Sequence, residues 1–403
     1  MSGPSAIVRI AAKGDGVTGD GRHFAGAVPG DSVGPDGAII PGEHHASPPC
    51  PHFGSCGGCQ LQHADDAVLS GFVRDRVLNA ARGQGIEPLD FLPVHLSPPA
   101  SRRRAGLHAL RTAKGAVLGF REGGSHRIVD MKACPVLREE LLALVAPIRK
   151  FIAAYGGKGG IDARLTLADQ GVDLALTNIP LNSLEATEAA LDFARDHGLA
   201  RLSLDQGYGV ETLWEPDPAT VTLSGISVDL PPGAFLQATE DAQTRMATDA
   251  SAWLGEAAIV ADLFAGLGTF AFALLASGPA NRKVLGVEAD RAAHLAFKAA
   301  GARTGGRALG LHRDLFRAPF QANELARFDA VVLDPPRAGA KAQVSEIAAS
   351  DVARVLYVSC NPSSWARDAA KLVEGGFALA KLRPVGQFRW STHVELVSLF
   401  ERA

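Results

Sequence analysis

The sequence predicts an α/β protein in which a parallel, doubly wound sheet forms the C-terminal part. From residue 258 onward, short apolar strands alternate with glycine turns and helical runs, an order that builds parallel sheets with helices on both faces. The chain has 403 residues, enough for two or three domains with a core in each. The N-terminal half shows no such alternation, so we expect it to fold separately, as an α+β domain preceded by a short β segment.

The composition is that of a soluble globular protein, with 47% hydrophobic and 21% charged residues. The formal net charge of −3 gives no global basic signal, so any nucleic-acid binding must depend on a local patch. No apolar run is long enough to span a membrane, and the chain does not begin like a signal peptide. Its five cysteines are too few and too unevenly spaced for a secreted disulfide scaffold. We therefore expect a cytoplasmic monomer that does not contact membranes.

The first segment, residues 1–48, contains two runs that alternate like short strands, 6–10 and 22–28, with glycine turns between them. We interpret this segment as an OB- or TRAM-like piece of a β-barrel. The barrel is truncated in this interpretation, because too few strands precede Cys50 to close it.

The central segment, residues 49–235, carries both helical and strand patterns. Helices are expected near 64–81 and 137–155, and an alternating run begins at Arg102. Two further alternating runs flank a turn at 169–171, which predicts a β-hairpin. These patterns favour an α+β domain built on a mostly antiparallel sheet.

Four cysteines of this segment form a ligand pattern. Three of them have C-x5-C-x2-C spacing on glycine-rich turns, and the fourth lies in an Ala-Cys-Pro sequence. They are Cys50, Cys56, Cys59 and Cys134. Four thiolates complete a tetrahedral site, which suits an iron–sulfur cluster or a structural zinc ion, and their spacing alone does not distinguish the two.

A nucleotide-like ligand is expected at residues 262–269, where a strand runs into a glycine-rich bend and then a helix. Glu288 ends the next strand, where an acid can accept hydrogen bonds from both ribose hydroxyls. Ala271 stands where the dinucleotide fingerprint has its third glycine, so the pattern favours S-adenosylmethionine (SAM) over NAD. Asp314 and Asp334 follow two later strands and strengthen this reading.

Residues 334–337 read Asp-Pro-Pro-Arg at the end of an apolar strand. The two prolines make a rigid loop that faces the ligand edge. Exocyclic-amine methylases usually place an aromatic residue after the second proline to stack on the base. Arg337 occupies that position here, which argues against methylation of an amino group.

A candidate nucleophile, Cys360, lies where a buried strand meets an Asn-Pro turn, although a buried core thiol is the alternative reading. Glu395 begins the last β-prone run and can supply a base. Methylation of uracil at carbon 5 requires both groups. A thiolate adds to carbon 6 and makes carbon 5 nucleophilic, and a base later removes the proton from carbon 5.

With these residues in place, the sequence resembles the bacterial SAM-dependent RNA 5-methyluridine methyltransferases that carry an iron–sulfur cluster, the group that acts on 23S rRNA. The resemblance covers the chain from Cys50 onward. It is carried by CPHFGSCGGCQLQH, SRRRAGL, GFREGGSHRIVDMKACP, PPGAFLQ, DLFAGLGTF, VLDPPRAGA, YVSCNP and STHVELV. The segment before Glu395 departs from the family's Asp-x-Phe-Pro and reads Gly-Gln-Phe-Arg at 386–389, but its spacing to Glu395 is kept.

The resemblance implies a Rossmann-like class I SAM methyltransferase domain over residues 236–403. It implies a 4Fe–4S cluster on Cys50, Cys56, Cys59 and Cys134. Cys360 is the implied nucleophile and Glu395 the implied base. Contacts to SAM, or for the first of these to the target base, are implied for Gln237, Phe264, Thr269, Glu288, Asp314 and Asp334.

RNA is the expected partner, because arginines are concentrated in one stretch of a nearly neutral chain. The candidate RNA contacts are Arg102, Arg103, Arg104, Arg121 and Arg337. We expect methyl transfer to carbon 5 of a uridine in 23S rRNA, with the target base flipped out of a loop. A tRNA uridine is the alternative substrate, and a catalytically silent iron–sulfur RNA-binding protein is the alternative of a different class.

Overall fold

In the computed structural model, which describes residues 4–402, the N-terminal segment is a sheet of short strands. They are β1 (Ser5–Ile10), β2 (Gly16–Thr18), β3 (His23–Phe24), β4 (Ser32–Val33) and β5 (Ile39–Ile40). Their order is β3-β2-β1-β4-β5, with all neighbours antiparallel. The sequence predicted two strands here, because strands of two or three residues are too short to show an alternating pattern.

The central segment forms a second sheet with its helices. Helix α1 (Asp66–Arg82) and the strands β6 (Asp90–Phe91) and β7 (His95–Leu96) precede this sheet in the chain. The sheet and its helices consist of β8 (Arg104–Thr112), β9 (Gly115–Gly119), α2 (Glu139–Ala143), α3 (Val145–Tyr155), β10 (Gly160–Ala168), β11 (Gly171–Thr177), α4 (Leu184–Asp196), β12 (Arg201–Asp205) and β13 (Val210–Trp214). The sheet order is β13-β12-β11-β10-β8-β9, and only β11 and β12 are parallel.

Helices α2, α3 and α4 pack into one core with this sheet, the α+β arrangement that the sequence predicted. The predicted hairpin is present as β10 and β11, which pair from Ala163↔Leu176 to Ala168↔Gly171. The single helix expected over 137–155 is instead two helices, α2 and α3, which meet at Leu144.

The C-terminal part is the predicted doubly wound sheet. Its elements are β14 (Thr220–Leu223), β15 (Ile226–Asp229), α5 (Glu240–Trp253), β16 (Ile259–Leu263), α6 (Thr269–Ser277), β17 (Lys283–Glu288), α7 (Arg291–Ala302), β18 (Ala308–His312), α8 (Ala322–Leu325), β19 (Ala330–Leu333), α9 (Lys341–Ala348), β20 (Arg354–Ser359), α10 (Pro362–Glu374), β21 (Phe377–Gly386) and β22 (Glu395–Arg402). Strands β14 and β15 form a separate antiparallel pair, and the doubly wound sheet has the order β18-β17-β16-β19-β20-β22-β21. The sheet is mixed rather than wholly parallel, because β22 runs antiparallel to both of its neighbours.

Alternate side chains of the central strands enter two different cores. Along β20, Val355 and Tyr357 belong to one core, whereas Leu356 and Val358 belong to the other. A strand covered on both faces is apolar at every position, which explains why these strands read as continuous apolar runs in the sequence.

Part of the 49–235 range packs with the C-terminal sheet rather than with the central one. Strands β6 and β7 pair in parallel with β21. Helix α1 shares a core with α10, through residues that include Val77, Trp365 and Leu372. A two-residue strand carries no sequence pattern, so this pairing was not predictable from the sequence.

None of the helices between residues 4 and 402 combines the length and the apolar character needed to cross a bilayer.

Candidate active site

The strand order changes direction between β16 and β19, and the predicted site residues follow the carboxyl ends of these and neighbouring strands. In the parallel register, Leu333 pairs with Leu263 on one side and with Tyr357 on the other. Asp334 is the next residue, and its backbone N–H donates to the Leu263 carbonyl at 3.3 Å. Open α/β sheets bind ligands in the crevice at such a switch point.

The register of β20 and β22 brings the proposed nucleophile and base together. Ser359 pairs with Leu396 in the antiparallel ladder. Cys360 is the residue after Ser359 and Glu395 is the residue before Leu396, so the two occupy the next pair of positions. Glu395 is buried and Cys360 is half-buried. Residues 35 apart in the chain are thereby placed side by side at the edge of the sheet.

Hydrogen bonds tie the Asp-Pro-Pro-Arg loop to the start of α10. The Asn361 side-chain amide and the Ser364 hydroxyl both donate to the Arg337 carbonyl, at 3.0 and 2.9 Å. Buried Asp368 accepts from the Ala340 backbone N–H at 2.7 Å. These contacts leave the Arg337 side chain exposed beside the crevice, with the cysteine-bearing turn fixed next to it.

The surroundings of Cys360 oppose ionisation of its thiol. Burial, together with the carboxyl groups of Glu395 and Asp334, raises the pKa of Cys360 to about 11, while Arg337 acts in the opposite direction. The thiol is therefore neutral at pH 7 unless additional positive charge enters the site.

The carboxyl groups of buried Glu395 and half-buried Asp334 lie near this thiol. Burial raises the pKa of Glu395 to about 7, although a hydrogen bond from Gln387 and the charges of Arg104 and Arg337 lower it. Burial also raises the pKa of Asp334 well above its usual value, and the nearby Glu395 carboxyl adds to the effect. A carboxyl group with a pKa near neutrality is suited to general acid–base catalysis.

Two glutamines connect these carboxyl groups. Gln237 Nε2 donates to Asp334 Oδ2 at 3.3 Å. Gln387 Nε2 donates to Gln237 Oε1 at 3.1 Å and to Glu395 Oε1 at 2.9 Å. Gln237 was predicted, but Gln387 was not identified as a site residue. A signal was present, because a polar residue directly follows the long strand β21 and lies eight positions before Glu395.

The three consecutive arginines at the start of β8 have different surroundings. Arg104 lies 4.5 Å above the ring of Phe235, and Arg102 lies 5.4 Å from the ring of Phe388. Arg103 is buried; its guanidinium donates to the Gln237 carbonyl at 3.1 Å and to the Gln243 side chain at 2.6 Å.

The prediction that Arg103 contacts RNA is therefore wrong for this structure. Successive side chains of an extended chain point to opposite faces, so the middle arginine turns inward. Arg121 and Arg337, by contrast, are exposed.

The glycine-rich bend and Glu288 form one unit. Glu288 Oε2 accepts from the Gly266 N–H at 2.8 Å, and Oε1 accepts from the N–H groups of Ala289 and Asp290, at 2.8 and 2.7 Å. Gly268 has a φ of +96°, and a Cβ atom there would lie 2.6 Å from neighbouring aromatic rings, so only glycine fits. The bend is thus held to the acid by backbone donors alone.

The remaining predicted cofactor residues surround the same crevice. Phe264 has a φ of +66°, and its ring lies 5.5 Å from the exposed ring of Phe316. Asp314 Oδ1 accepts from the Phe316 N–H at 2.9 Å, and Thr269 is the first residue of α6. Such a crevice, with an acid for ribose and exposed aromatic rings for a base, can hold a nucleoside.

Four cysteines of the central segment line a single cavity: Cys50, Cys56, Cys59 and Cys134. Burial raises the pKa of the Cys59 thiol to about 12. Burial also raises the pKa of Cys134, although backbone N–H groups of Val136 and Leu137 donate to its sulfur. Between residues 4 and 402, no group of His, Cys, Asp and Glu side chains is arranged to hold a metal ion.

The sheet order and the acids that follow its strands define a SAM-dependent methyltransferase. Comparison with known proteins gives the family. The model of the tRNA (uracil-5-)-methyltransferase family matches residues 301–403. An uncharacterized RNA methyltransferase of Zymomonas mobilis is 46% identical over 397 residues, which cover 98% of this chain and 99% of the relative.

A second relative and a solved structure extend the comparison. The 23S rRNA (uracil(1939)-C(5))-methyltransferase RlmD of Pectobacterium atrosepticum is 31% identical, over 90% of this chain and 81% of the relative. The crystal structure of the Pyrococcus abyssi tRNA (uracil-54, C5)-methyltransferase with S-adenosyl-L-homocysteine has a TM-score of 0.72 at 20% identity, and covers 98% of this chain and 100% of that one. The chain belongs to the RNA (uracil-5-)-methyltransferase family and is a SAM-dependent RNA methyltransferase.

Proposed function

We propose that the protein transfers a methyl group from SAM to carbon 5 of a uridine in 23S rRNA. The observation that carries this proposal is the register of β20 and β22, which ends at Ser359↔Leu396 and so places a half-buried cysteine and a buried glutamate at the next positions, at the ligand edge of the sheet. Methylation at a carbon atom of uracil needs both groups, whereas methylation of an amine or hydroxyl needs neither.

The proposed reaction uses Cys360 first. Its thiolate adds to carbon 6 of uracil, and the electron pair of the double bond between carbons 5 and 6 moves to carbon 5. Carbon 5 then attacks the methyl group of SAM, and S-adenosylhomocysteine leaves. Glu395 takes the proton from carbon 5, the double bond forms again, and the bond between carbon 6 and sulfur breaks to release the thiolate.

The charges of the site indicate when the thiolate forms. With Glu395 and Asp334 close to Cys360, the site disfavours a further negative charge. The sulfonium of SAM is a cation, and its arrival beside Asp334 lowers the pKa of the Cys360 thiol. We propose that SAM is held by Gln237, Phe264, Thr269, Glu288, Asp314 and Asp334. Binding of the cofactor would then activate the nucleophile.

The sequence identity of 31% to RlmD, over 90% of this chain, favours ribosomal RNA as the substrate. The similarity to the tRNA enzyme is at 20% identity and supports the fold rather than the substrate. We propose that a loop uridine is flipped into the crevice and that the phosphates contact basic side chains at its rim. The proposed RNA contacts are Arg102, Arg104, Arg121 and Arg337.

We propose that Cys50, Cys56, Cys59 and Cys134 hold a 4Fe–4S cluster. They line one cavity, and backbone amides donate to the sulfurs of Cys56 and Cys134, as in iron–sulfur sites. Four cysteine thiolates are the usual ligand set of such a cluster, although they can also hold a zinc ion. Four protein thiolates saturate such a cluster, so it would stabilise this part of the fold.

Metal analysis tests the cluster independently of activity. Protein purified without oxygen should contain iron and acid-labile sulfide in equal amounts and absorb visible light. Cys134→Ser should lose most of both. Zinc in place of iron and sulfide would overturn this assignment.

Transfer of labelled methyl from SAM to unmodified total RNA tests the function, with the product mapped by mass spectrometry. We expect 5-methyluridine in 23S rRNA. Label in the tRNA fraction would keep the chemistry and overturn the substrate. No methylated RNA from protein with its metal site filled would favour a silent RNA-binding protein.

A further inference from the structure

The hydrogen bonds around Gln387 fix which way its side-chain amide points. The backbone N–H of Ala238, which can only donate, lies 3.1 Å from Gln387 Oε1. The Nε2 group is thereby turned toward Glu395 Oε1 and Gln237 Oε1, at 2.9 and 3.1 Å. A primary amide has two N–H donors, so these two acceptors use both of them.

The orientation of Gln387 also sets the orientation of Gln237, whose amide contacts the second carboxyl group, that of Asp334. Because Gln237 accepts through Oε1, its Nε2 faces Asp334 Oδ2 at 3.3 Å. The two glutamines therefore join Glu395 to Asp334 through donors whose orientation is set by a backbone N–H. The side chains of Gln237, Gln387 and Glu395 are buried, and that of Asp334 is half-buried.

Other charged and titratable groups also face Glu395, but they do not hold it by a hydrogen bond. Arg104 of β8 and Arg337 after β19 act on it through charge. Asp334 after β19 and Cys360 after β20 are coupled to it in the same way. Within residues 4–402, Gln387 is the one hydrogen-bond partner of the Glu395 carboxyl group.

We propose that Gln387 is the positioning residue for the last step of the reaction: its amide orients Glu395, favours the ionised carboxylate and leaves Oε2 free to take the proton from carbon 5. Oε1 is occupied by the amide, so the second oxygen is the one available to the substrate. In that step the hydrogen on carbon 5 leaves as a proton to Oε2. Its electron pair restores the double bond of the ring, and the Cys360 thiolate departs from carbon 6. This inference rests on the proposed function.

Gln387→Met tests the inference, because it keeps the length of the side chain and removes the donors. We expect turnover to fall by about tenfold or more, since a hydrogen bond to a charged group is lost. The KM for RNA and the Kd for SAM should stay within about twofold. A covalent protein–RNA adduct that already carries the new methyl group should accumulate. The acidic limb of the pH profile of kcat should move to higher pH, because the carboxylate has lost its donor.

Two further variants separate positioning from folding. Gln343→Met removes another buried amide, which donates to and accepts from the Phe320 backbone at 3.1 and 2.8 Å, remote from the carboxyl groups. It should lose thermal stability without accumulating adduct. If Gln387→Met does not fold, Gln387→Glu keeps an acceptor for Ala238 and places a second carboxyl group beside Glu395. Because two such groups share one proton, the acidic limb of kcat should move to higher pH, and the adduct should accumulate below that pH.

Wild-type turnover without adduct in a folded Gln387→Met would overturn the inference. Loss of adduct formation itself would overturn it too, since the amide would then serve the attack by Cys360. A different pair of results would overturn the proposed function. If Cys360→Ala still methylates RNA and Glu395→Gln forms no adduct, the covalent mechanism is wrong whatever Gln387 does.

Discussion

Two halves of one sheet edge hold their carboxyl groups by different means. Next to β16 and β17, Glu288 accepts three hydrogen bonds, all from backbone N–H groups. Next to β20 and β22, Glu395 accepts one, from the side chain of Gln387. A backbone N–H group does not titrate and is held in place by the main chain, whereas a side-chain donor can rotate away from its acceptor. The first half is therefore built to hold a ligand unchanged, and the second to change protonation during a reaction.

The electrostatics of the second half follow the same division. Burial raises the pKa of Glu395 to about 7 and that of Cys360 to about 11. Burial thus keeps the pKa of Glu395 near neutral pH and the pKa of Cys360 well above it. Substitutions next to β20 and β22 should therefore lower turnover, whereas substitutions next to β16 and β17 should weaken the binding of SAM.

The largest effect is expected for Cys360→Ala. Turnover should fall by about 10⁴-fold or more, because the covalent step has no other nucleophile. The Kd for SAM, measured by calorimetry, should stay within about twofold, since the cofactor half is untouched. Retained methylation would show that the two halves do not divide the work in this way.

Glu395→Gln should lower turnover by about 10² to 10⁴-fold, the range for loss of a general base. The variant should still complete attack and methyl transfer, so a methylated protein–RNA adduct should be visible by denaturing gel electrophoresis. Cys360→Ala serves as the control, because it cannot form the adduct. A Glu395→Gln variant that releases free 5-methyluridine would assign the base elsewhere.

The pH dependence of the wild-type enzyme should break near the pKa of Glu395. The base must be ionised, so kcat should fall about tenfold per pH unit below pH 7 and level off above it. The rate of adduct formation by Glu395→Gln should show no such break, because the titrating carboxyl is gone. It should instead rise with pH, as the Cys360 thiol ionises.

The smallest effect is expected for Glu288→Gln, which keeps one oxygen acceptor and leaves at least one backbone N–H without its partner. The Kd for SAM should rise by about tenfold, the equivalent of one hydrogen bond to a charged group. At saturating SAM, kcat should change less than twofold and no adduct should accumulate. Glu374→Gln, an exposed control that pairs only with Lys371, should leave both constants unchanged.

The sequence predicted the strands of the C-terminal sheet closely, because strands buried on both faces are apolar throughout. The alternation of apolar strands and helices predicted from residue 258 onward begins with β16, which spans Ile259–Leu263. The sequence also indicated that Cys360 and Glu395 stand at strand ends. It could not give the antiparallel register that pairs them, since register depends on contacts between strands distant in the chain.

Other features left weaker signals or none. Strands β6 and β7 have two residues each, too few for any period, so their pairing with β21 depends on tertiary packing. Gln387 lies in a segment that was compared with the family's Asp-x-Phe-Pro, where its position is variable. Its importance depends on the Ala238 backbone N–H, which no side-chain pattern records.

Arg103 has a consequence for how RNA enters the enzyme. Its backbone N–H donates to the Ala238 carbonyl at 2.9 Å, and its guanidinium donates to the Gln237 carbonyl. The start of the central sheet is therefore fastened to the segment that carries Gln237 and Ala238. Separating these two parts would break both hydrogen bonds and displace Gln237, so we expect the proposed uridine site to be formed before RNA binds. The main conformational change on binding is then expected in the RNA, which must turn the target uridine out of its base stack.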